Sequence, residues 1–272
     1  MNTGTLSEIR FEERTTLMKN IIERIGELPN WSEYEPQIQH YSNYSSNVVT
    51  AASKIADVNR TYCTGRASFV YYESDDFGQL VRSDDEISVK YFKSILLYNA
   101  LSSYNICIDL SWQVVWLFLS DLSLDLIYDE KKYNNYLNEC NMETLNYKLT
   151  LAKEIKLKNH VNDFFNSAPT QKVRKKYNYY KHKGAFYVPG LGENLGNLPF
   201  GFNELTLKQM KREEFDLDEW CNILIEYQNC FYKYFEELIN FVIPKTYLEQ
   251  ELDFFGDTIG YGLKVEEYLE NK

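Results

Sequence analysis

The sequence predicts an all-α fold, a helical bundle of five or more long helices around one core. The 272 residues include only 12 Gly and 6 Pro, which is few for a chain of many short strands and tight turns. Apolar residues recur at spacings of three and four over long stretches, the period of one helix face. No segment shows the sustained apolar–polar alternation of a half-buried strand.

The N-terminal part of the chain predicts two helices followed by a loop. An amphipathic helix is expected over Ser7–Leu28, ended by Pro29. A second helix is expected from Glu35 to about Tyr62, because its apolar residues again follow helical spacing. The acidic stretch Tyr71–Glu86 contains Gly78 and is interpreted as a loop.

The middle of the chain predicts three more helices, over Ser88–Tyr104, Ile106–Tyr128 and Glu143–Asn166. Its most apolar run is Leu110–Leu119, which is about half of the ~20 residues needed to cross a bilayer. We therefore interpret this run as part of a buried core helix and expect a protein without membrane spans.

The C-terminal part predicts a loop between two helices. Five glycines and two prolines fall within Gly184–Gly201, the composition of a long loop. The last long helix is expected from about Leu217 to Val242, closed by Pro244. The tail Gly256–Lys272 is expected to add one short helix.

Length and composition favour a single helical domain over residues 1–272, with residues 1–70 as an optional N-terminal helical extension. The five cysteines are scattered and odd in number, and the N-terminus has no apolar core typical of a signal peptide, so a reducing, cytoplasmic location is expected. With three histidines and no close Cys/His spacing, neither a metal site nor a cofactor is predicted.

A basic segment stands out against the net charge of −11. The stretch Lys172–Lys183, KVRKKYNYYKHK, holds six Lys/Arg and one of the three histidines. No acidic residue lies between Asp163 and Glu193. Ser167 and Pro169 suit the start of a short helix here, and Gly184 suits its end. Such a segment meets a phosphate-rich partner, meets an acidic face of the same protein or its dimer mate, or forms a solvated helix face.

Helical geometry sorts the side chains of this segment. At 100° per residue, Lys175, Asn178 and His182 fall on one face, with Arg174 roughly 80° from His182. A cation, an amide and an imidazole on one face can bind a phosphate and move a proton.

The pattern of Arg174, Asn178 and Lys181–Gly184, followed by a long helix, resembles the HEPN superfamily (higher eukaryotes and prokaryotes nucleotide-binding). The resemblance implies a helical bundle, a homodimer and, in many members, a metal-independent ribonuclease of prokaryotic defence or toxin–antitoxin systems, with an antitoxin as a further partner. Seven residues separate Arg174 from His182, one more than the longest spacing usual in the family.

The same resemblance implies roles for the residues that match. His182 is expected to act as general acid/base, Arg174 to stabilise the charge that develops on the phosphorus centre, and Asn178 to orient the phosphate. Phosphate or RNA binding is expected from four lysines: Lys175, Lys176, Lys181 and Lys183. Two other functions stay open, namely a non-catalytic HEPN-like module for nucleotide binding or protein interaction, and an unrelated helical scaffold.

Overall fold

A computed structural model describes residue 16 and residues 19–74, 77, 85–122, 124–194 and 211–270. In these ranges the regular structure is helical, which confirms the all-α prediction, and one isolated β-bridge joins Tyr187 to Glu214. A 3₁₀ turn at Trp31–Tyr34 follows the helical residues 19–25. We number the helices α1 (Ile38–Asn43), α2 (Ser46–Ser74), α3 (Glu86–Phe118), α4 (Asp125–Tyr128), α5 (Glu130–Asn138), α6 (Met142–Leu151), α7 (Ile155–Asn166), α8 (Ala168–Lys183), α9 (Leu217–Val242) and α10 (Phe254–Glu270).

Two predicted helix boundaries were wrong in opposite senses. The single helix expected from Glu35 is divided, because Tyr44 is extended (φ −116°, ψ 161°) and α2 starts anew when the Ser45 carbonyl accepts the Val49 N–H. Conversely, the two helices expected on either side of Asn105 form one continuous α3, which ends at Phe118 and not at the predicted Tyr128. Asn105 is itself buried, and tertiary packing overrides its modest helix propensity.

The predicted helix over Glu143–Asn166 is also divided, into α6 and α7. The break lies at Lys153, whose φ of +61° is left-handed, although the segment contains neither glycine nor proline. Helix α5 was not predicted at all; Asp129 starts it by accepting the Lys132 N–H at 2.9 Å. The expected tail helix is present and longer than predicted, beginning at Phe254.

Three predictions fall partly outside the described residues. Of the helix expected over Ser7–Leu28, residues 19–25 are helical and end before Gly26. Of the loop expected over Tyr71–Glu86, the ends 71–74 and Glu86 prove to be helical. Of the loop expected from Gly184, residues 184–194 carry no helix. The remainder of these three segments lies mainly outside the described ranges.

The chain divides into two compact units. The first comprises Met1–Leu28, Cys63–Asn105 and Ala168–Cys230, and the second comprises Pro29–Tyr62, Ile106–Ser167 and Phe231–Lys272. None of the helices in the described ranges is long and apolar enough to cross a membrane.

The first unit is centred on Tyr104. Its buried ring lies against Phe69 and Tyr227, and its hydroxyl donates a 2.6 Å hydrogen bond to Gln228. Gly65 of α2 faces the same ring, and a Cβ there would lie 2.6 Å from a ring carbon of Tyr104. Glycine is therefore required for the backbone of α2 to pass this close to the Tyr104 ring.

The second unit contains an aromatic cluster around the buried Trp31. Its indole ring lies 4.7–6.2 Å from four other aromatic rings. The indole N–H donates to the carboxylate of Glu236. The four rings belong to Tyr62, Phe231, Tyr232 and Phe235.

Candidate functional site

The basic segment forms helix α8 of the first unit, with the bounds that the sequence predicted. Pro169 lies in its first turn, where the missing N–H costs no helical hydrogen bond. Gly184 follows its last residue with φ +103°, the left-handed conformation that ends many helices. One side of the helix is buried through Thr170, Val173 and Lys176, at steps of three residues.

Lys176 is the anchor of this buried side and is only 5% exposed. Its ammonium group donates 2.7 Å hydrogen bonds to the Glu213 carboxylate and to the Glu214 carbonyl. It also lies 4.6 Å from the ring centre of Phe186 and 4.9 Å from that of Trp220. Lys176 thus makes its contacts in the interior of the first unit. It does not lie on the solvent face with the other predicted phosphate ligands.

Two tyrosines of α8 also pack inward. Tyr179 stacks on Phe186 at 5.2 Å, and its hydroxyl accepts the Glu213 N–H at 2.9 Å. Tyr180 contacts Phe186 and Tyr98. Packing in the interior of the first unit therefore accounts for these two rings.

The opposite side of α8 faces solvent. Lys175, Asn178 and His182, which helical geometry placed on one face, are all exposed. The rise of 1.5 Å per residue puts Asn178 about 6 Å along the axis from His182 and Lys175 about 4.5 Å from Asn178. Arg174 is half-buried and lies about 12 Å along the axis from His182.

The charge on this helix is entirely positive, because Ala168–Lys183 contains no carboxylate. Lys172, Lys181 and Lys183 are exposed in addition to Lys175. The last turn holds Lys181, His182 and Lys183, and cations there also interact favourably with the negative end of the helix dipole. The helix dipole thus gives a structural reason for the cations of the last turn, but not for the cations nearer the start of α8.

The other two histidines have structural partners in the second unit. His40 accepts the Gln37 N–H at Nδ1, contacts the Tyr247 carbonyl through Nε2 at 3.1 Å, and stacks on the Tyr247 ring at 4.1 Å. His160 contacts the Tyr234 carbonyl through Nε2 at 2.9 Å. Both rings are held in place by main-chain groups.

We expect stability to fall when the pH drops below about 7, in part because of His40. Burial lowers the pKa of His40 from its ordinary 6.5, although the Tyr247 carbonyl and Asp257 oppose this effect. The unfolded chain then binds a proton at a higher pH than the folded chain, so the contribution is complete above pH ~6.5 and is lost as the pH falls through the folded pKa. Urea unfolding at pH 7.5 and pH 5 should show a smaller pH effect in His40→Gln than in the wild type. Equal effects in the two proteins would contradict this assignment.

The second unit contains a cavity that the sequence analysis did not predict. Its volume is about 660 Å³, and its lining includes Tyr41, Asn47, Asp121, Lys264 and Tyr268. The Lys264 ammonium is already engaged by the carbonyls of Tyr41 and Tyr44. The lining residues come from distant parts of the chain and share no spacing, so no sequence signal identifies them.

Among the residues that the structure describes, no three His, Cys, Asp or Glu side chains are placed to share an ion. Comparisons with protein-family models, with characterised proteins and with solved structures give no match. The function of the protein is therefore inferred from the chemistry of α8.

Proposed function

We propose that the solvent face of α8 binds RNA, and that the protein is a HEPN-like RNA-binding protein or metal-independent ribonuclease of a prokaryotic defence or toxin–antitoxin type. The observation that carries the proposal is the shared, exposed face of Lys175, Asn178 and His182 on a helix without a carboxylate. The cation attracts phosphate, the amide can donate to a phosphate oxygen, and the imidazole can transfer a proton.

Axial distances suggest how the face would meet an RNA backbone. Asn178 and His182, about 6 Å apart along the axis, are close enough to contact one phosphate between them. Lys175 lies one turn farther toward the N-terminus and would meet a neighbouring phosphate, while Lys181 and Lys183 add charge at the other end. In a catalytic mechanism His182 would be the general acid/base and Asn178 would orient the phosphate.

A non-catalytic HEPN-like module is the second candidate, and the position of Arg174 favours it. Arg174 is half-buried and about 12 Å along the axis from His182, too far for both to hold one phosphate unless a long side chain or a second copy closes the distance. Lysine at the neighbouring positions does not reproduce the bidentate fork of arginine. The homodimer and the antitoxin partner implied by the family resemblance belong to this proposal.

The enzymatic proposal predicts RNA cleavage that persists in EDTA. Purified full-length protein would be incubated with a mixed RNA pool, beside His182→Ala and Asn178→Ala and with Lys245→Ala as a control for an exposed cation of the second unit. Cleavage by His182→Ala should be about 10²–10⁴-fold slower, because the general acid/base is lost. Cleavage by Lys245→Ala should proceed at the wild-type rate. Cleavage retained in His182→Ala would exclude this site.

Measurements of RNA binding distinguish the ribonuclease from the non-catalytic module. The triple variant Lys175→Ala, Lys181→Ala, Lys183→Ala should weaken RNA affinity. It should also reduce the slope of log K against log salt by about 0.7 for each single-strand phosphate that the variant no longer neutralises. Binding that responds in this way without any cleavage supports the non-catalytic module. Absence of both binding and cleavage would leave a helical scaffold.

A further inference from the structure

The C-terminal helix α10 is amphipathic, but its polar side faces the protein and its apolar side faces solvent. Its polar and aromatic side faces the protein, where Asp257 is buried and accepts a 3.0 Å hydrogen bond from Asn43. On the same side, the Lys264 ammonium donates to the carbonyls of Tyr41 and Tyr44, at 3.2 and 3.1 Å. These groups hold α10 in place by hydrogen bonds.

Apolar side chains occupy the outer side of α10. Phe255, Ile259 and Leu263 are 79%, 63% and 61% exposed. Steps of four residues advance a helix by about 40°, so the three side chains fall within an arc of ~80° and form one continuous stripe. Lys264, on the inner side, is about 180° from Phe255. We call the three residues the outer stripe. A continuous apolar stripe in water is characteristic of an interaction surface, unlike a single exposed leucine.

The charges beside the outer stripe are acidic. Glu266 and Glu270 are exposed and lie about 20° and 60° around the helix from Phe255, within the arc of the stripe. Glu251 is exposed just before the helix begins. The one basic residue of α10 is Lys264, which points inward. An occupant of this surface therefore meets apolar side chains flanked by carboxylates.

This pattern selects among the possible occupants. A second copy paired through the same stripe would bring carboxylates together, because an antiparallel arrangement places Glu266 near Glu251 and a parallel one places it near the other Glu266. An anionic lipid surface would be repelled by the same groups. We propose that the outer stripe of α10 binds a cationic amphipathic helix of a protein partner, with apolar residues on the stripe and Lys or Arg beside the carboxylates.

The proposal is independent of the function proposed for α8 and is tested with synthetic peptides. Three peptides share one helical design: leucine on one face with lysine beside it, the same leucines with glutamate in place of lysine, and the lysines with serine in place of leucine. Fluorescence anisotropy with the full-length protein should show the leucine–lysine peptide binding at least about tenfold more tightly than either of the others.

Variants of the protein locate the binding site. Phe255→Ser with Ile259→Ser should weaken binding of the leucine–lysine peptide about tenfold or more, because both side chains are already exposed and the fold does not depend on covering them. The matched double variant Tyr147→Ser, Leu151→Ser changes two exposed apolar residues of the same unit and should leave binding unchanged. Glu266→Lys with Glu270→Lys should shift the preference toward the leucine–glutamate peptide.

Three results would overturn the proposal. One is peptide binding that is absent, insensitive to charge, or unchanged by the Phe255/Ile259 variant. Another is a wild-type dimer in sedimentation that becomes monomeric in that variant, which would assign the stripe to a second copy. The last is flotation with phosphatidylglycerol vesicles that the variant abolishes, which would assign it to lipid. RNA binding in the Phe255/Ile259 variant should equal that of the wild type, so that failure here is distinguishable from failure at α8.

Discussion

Replacing Trp31 with alanine is expected to lower the free energy of unfolding by about 4 kcal/mol, within the range measured for large aromatic truncations. Trp31 is fully buried, contacts four aromatic rings and donates its indole N–H to Glu236. It belongs to a 3₁₀ turn of only four residues, too short to be stable without side-chain packing. The loss combines the transfer free energy of the ring with the cavity it leaves.

Two further variants make this experiment specific. Trp31→Phe keeps most of the ring contacts but leaves Glu236 without the indole donor, so a smaller loss of about 1–2 kcal/mol is expected. Tyr147→Ala removes a ring that is 68% exposed in the same unit and should change stability by less than ~0.5 kcal/mol. Urea denaturation of the three variants measures these differences. A loss below about 1 kcal/mol in Trp31→Ala would show that the aromatic cluster can close over the missing ring.

Replacing Lys176 with alanine is expected to cost about 3 kcal/mol, an effect unlike that of any exposed lysine on the same helix. The substitution removes a buried four-carbon chain, two hydrogen bonds to Glu213 and Glu214, and the contact of the ammonium with the rings of Phe186 and Trp220. Cation–π contacts of a desolvated ammonium contribute about 2 kcal/mol. Lys181→Ala, at an exposed position of α8, should stay within ~0.5 kcal/mol of the wild type.

Methionine at position 176 separates the buried chain from the charge. The Glu213 side chain is 41% exposed, so water can hydrate its carboxylate once the ammonium is gone. Methionine keeps most of the apolar volume of the chain but loses both hydrogen bonds and the charge on the rings, so Lys176→Met should cost about 1–2 kcal/mol, less than Lys176→Ala. Equal losses in the two variants would assign the contribution to the ammonium instead of the chain that carries it. A stable Lys176→Met protein also permits RNA assays without this internal cation.

The sequence predicted helices α8 and α9 well because their boundary signals are local. Pro169 and Gly184 bracket α8, and Asp216 starts α9 by accepting the Glu219 N–H at 2.9 Å. The fusion of two predicted helices into α3 and the break at Lys153 carry no such signal. The fusion depends on packing partners, and the break depends on a left-handed residue that is neither glycine nor proline.

The candidate site shows the same limit. Helical periodicity alone was enough to group Lys175, Asn178 and His182, and the structure leaves all three exposed. Periodicity could not identify Lys176 as internal, because its partner Glu213 is 37 residues away in the chain. The inverted polarity of α10 was equally hidden, since the inner groups Asp257 and Lys264 find their partners near residues 41–44.

In the first unit, one side chain joins the chain that follows α8 to the chain that precedes α9 by hydrogen bonds. It lies in the same part of the unit as the Tyr187–Glu214 bridge. Buried Asn194 both donates to the Arg212 carbonyl and accepts the Arg212 N–H, each at 3.0 Å. One side chain therefore fixes residues 194 and 212 at a set separation, independently of the chain that connects them.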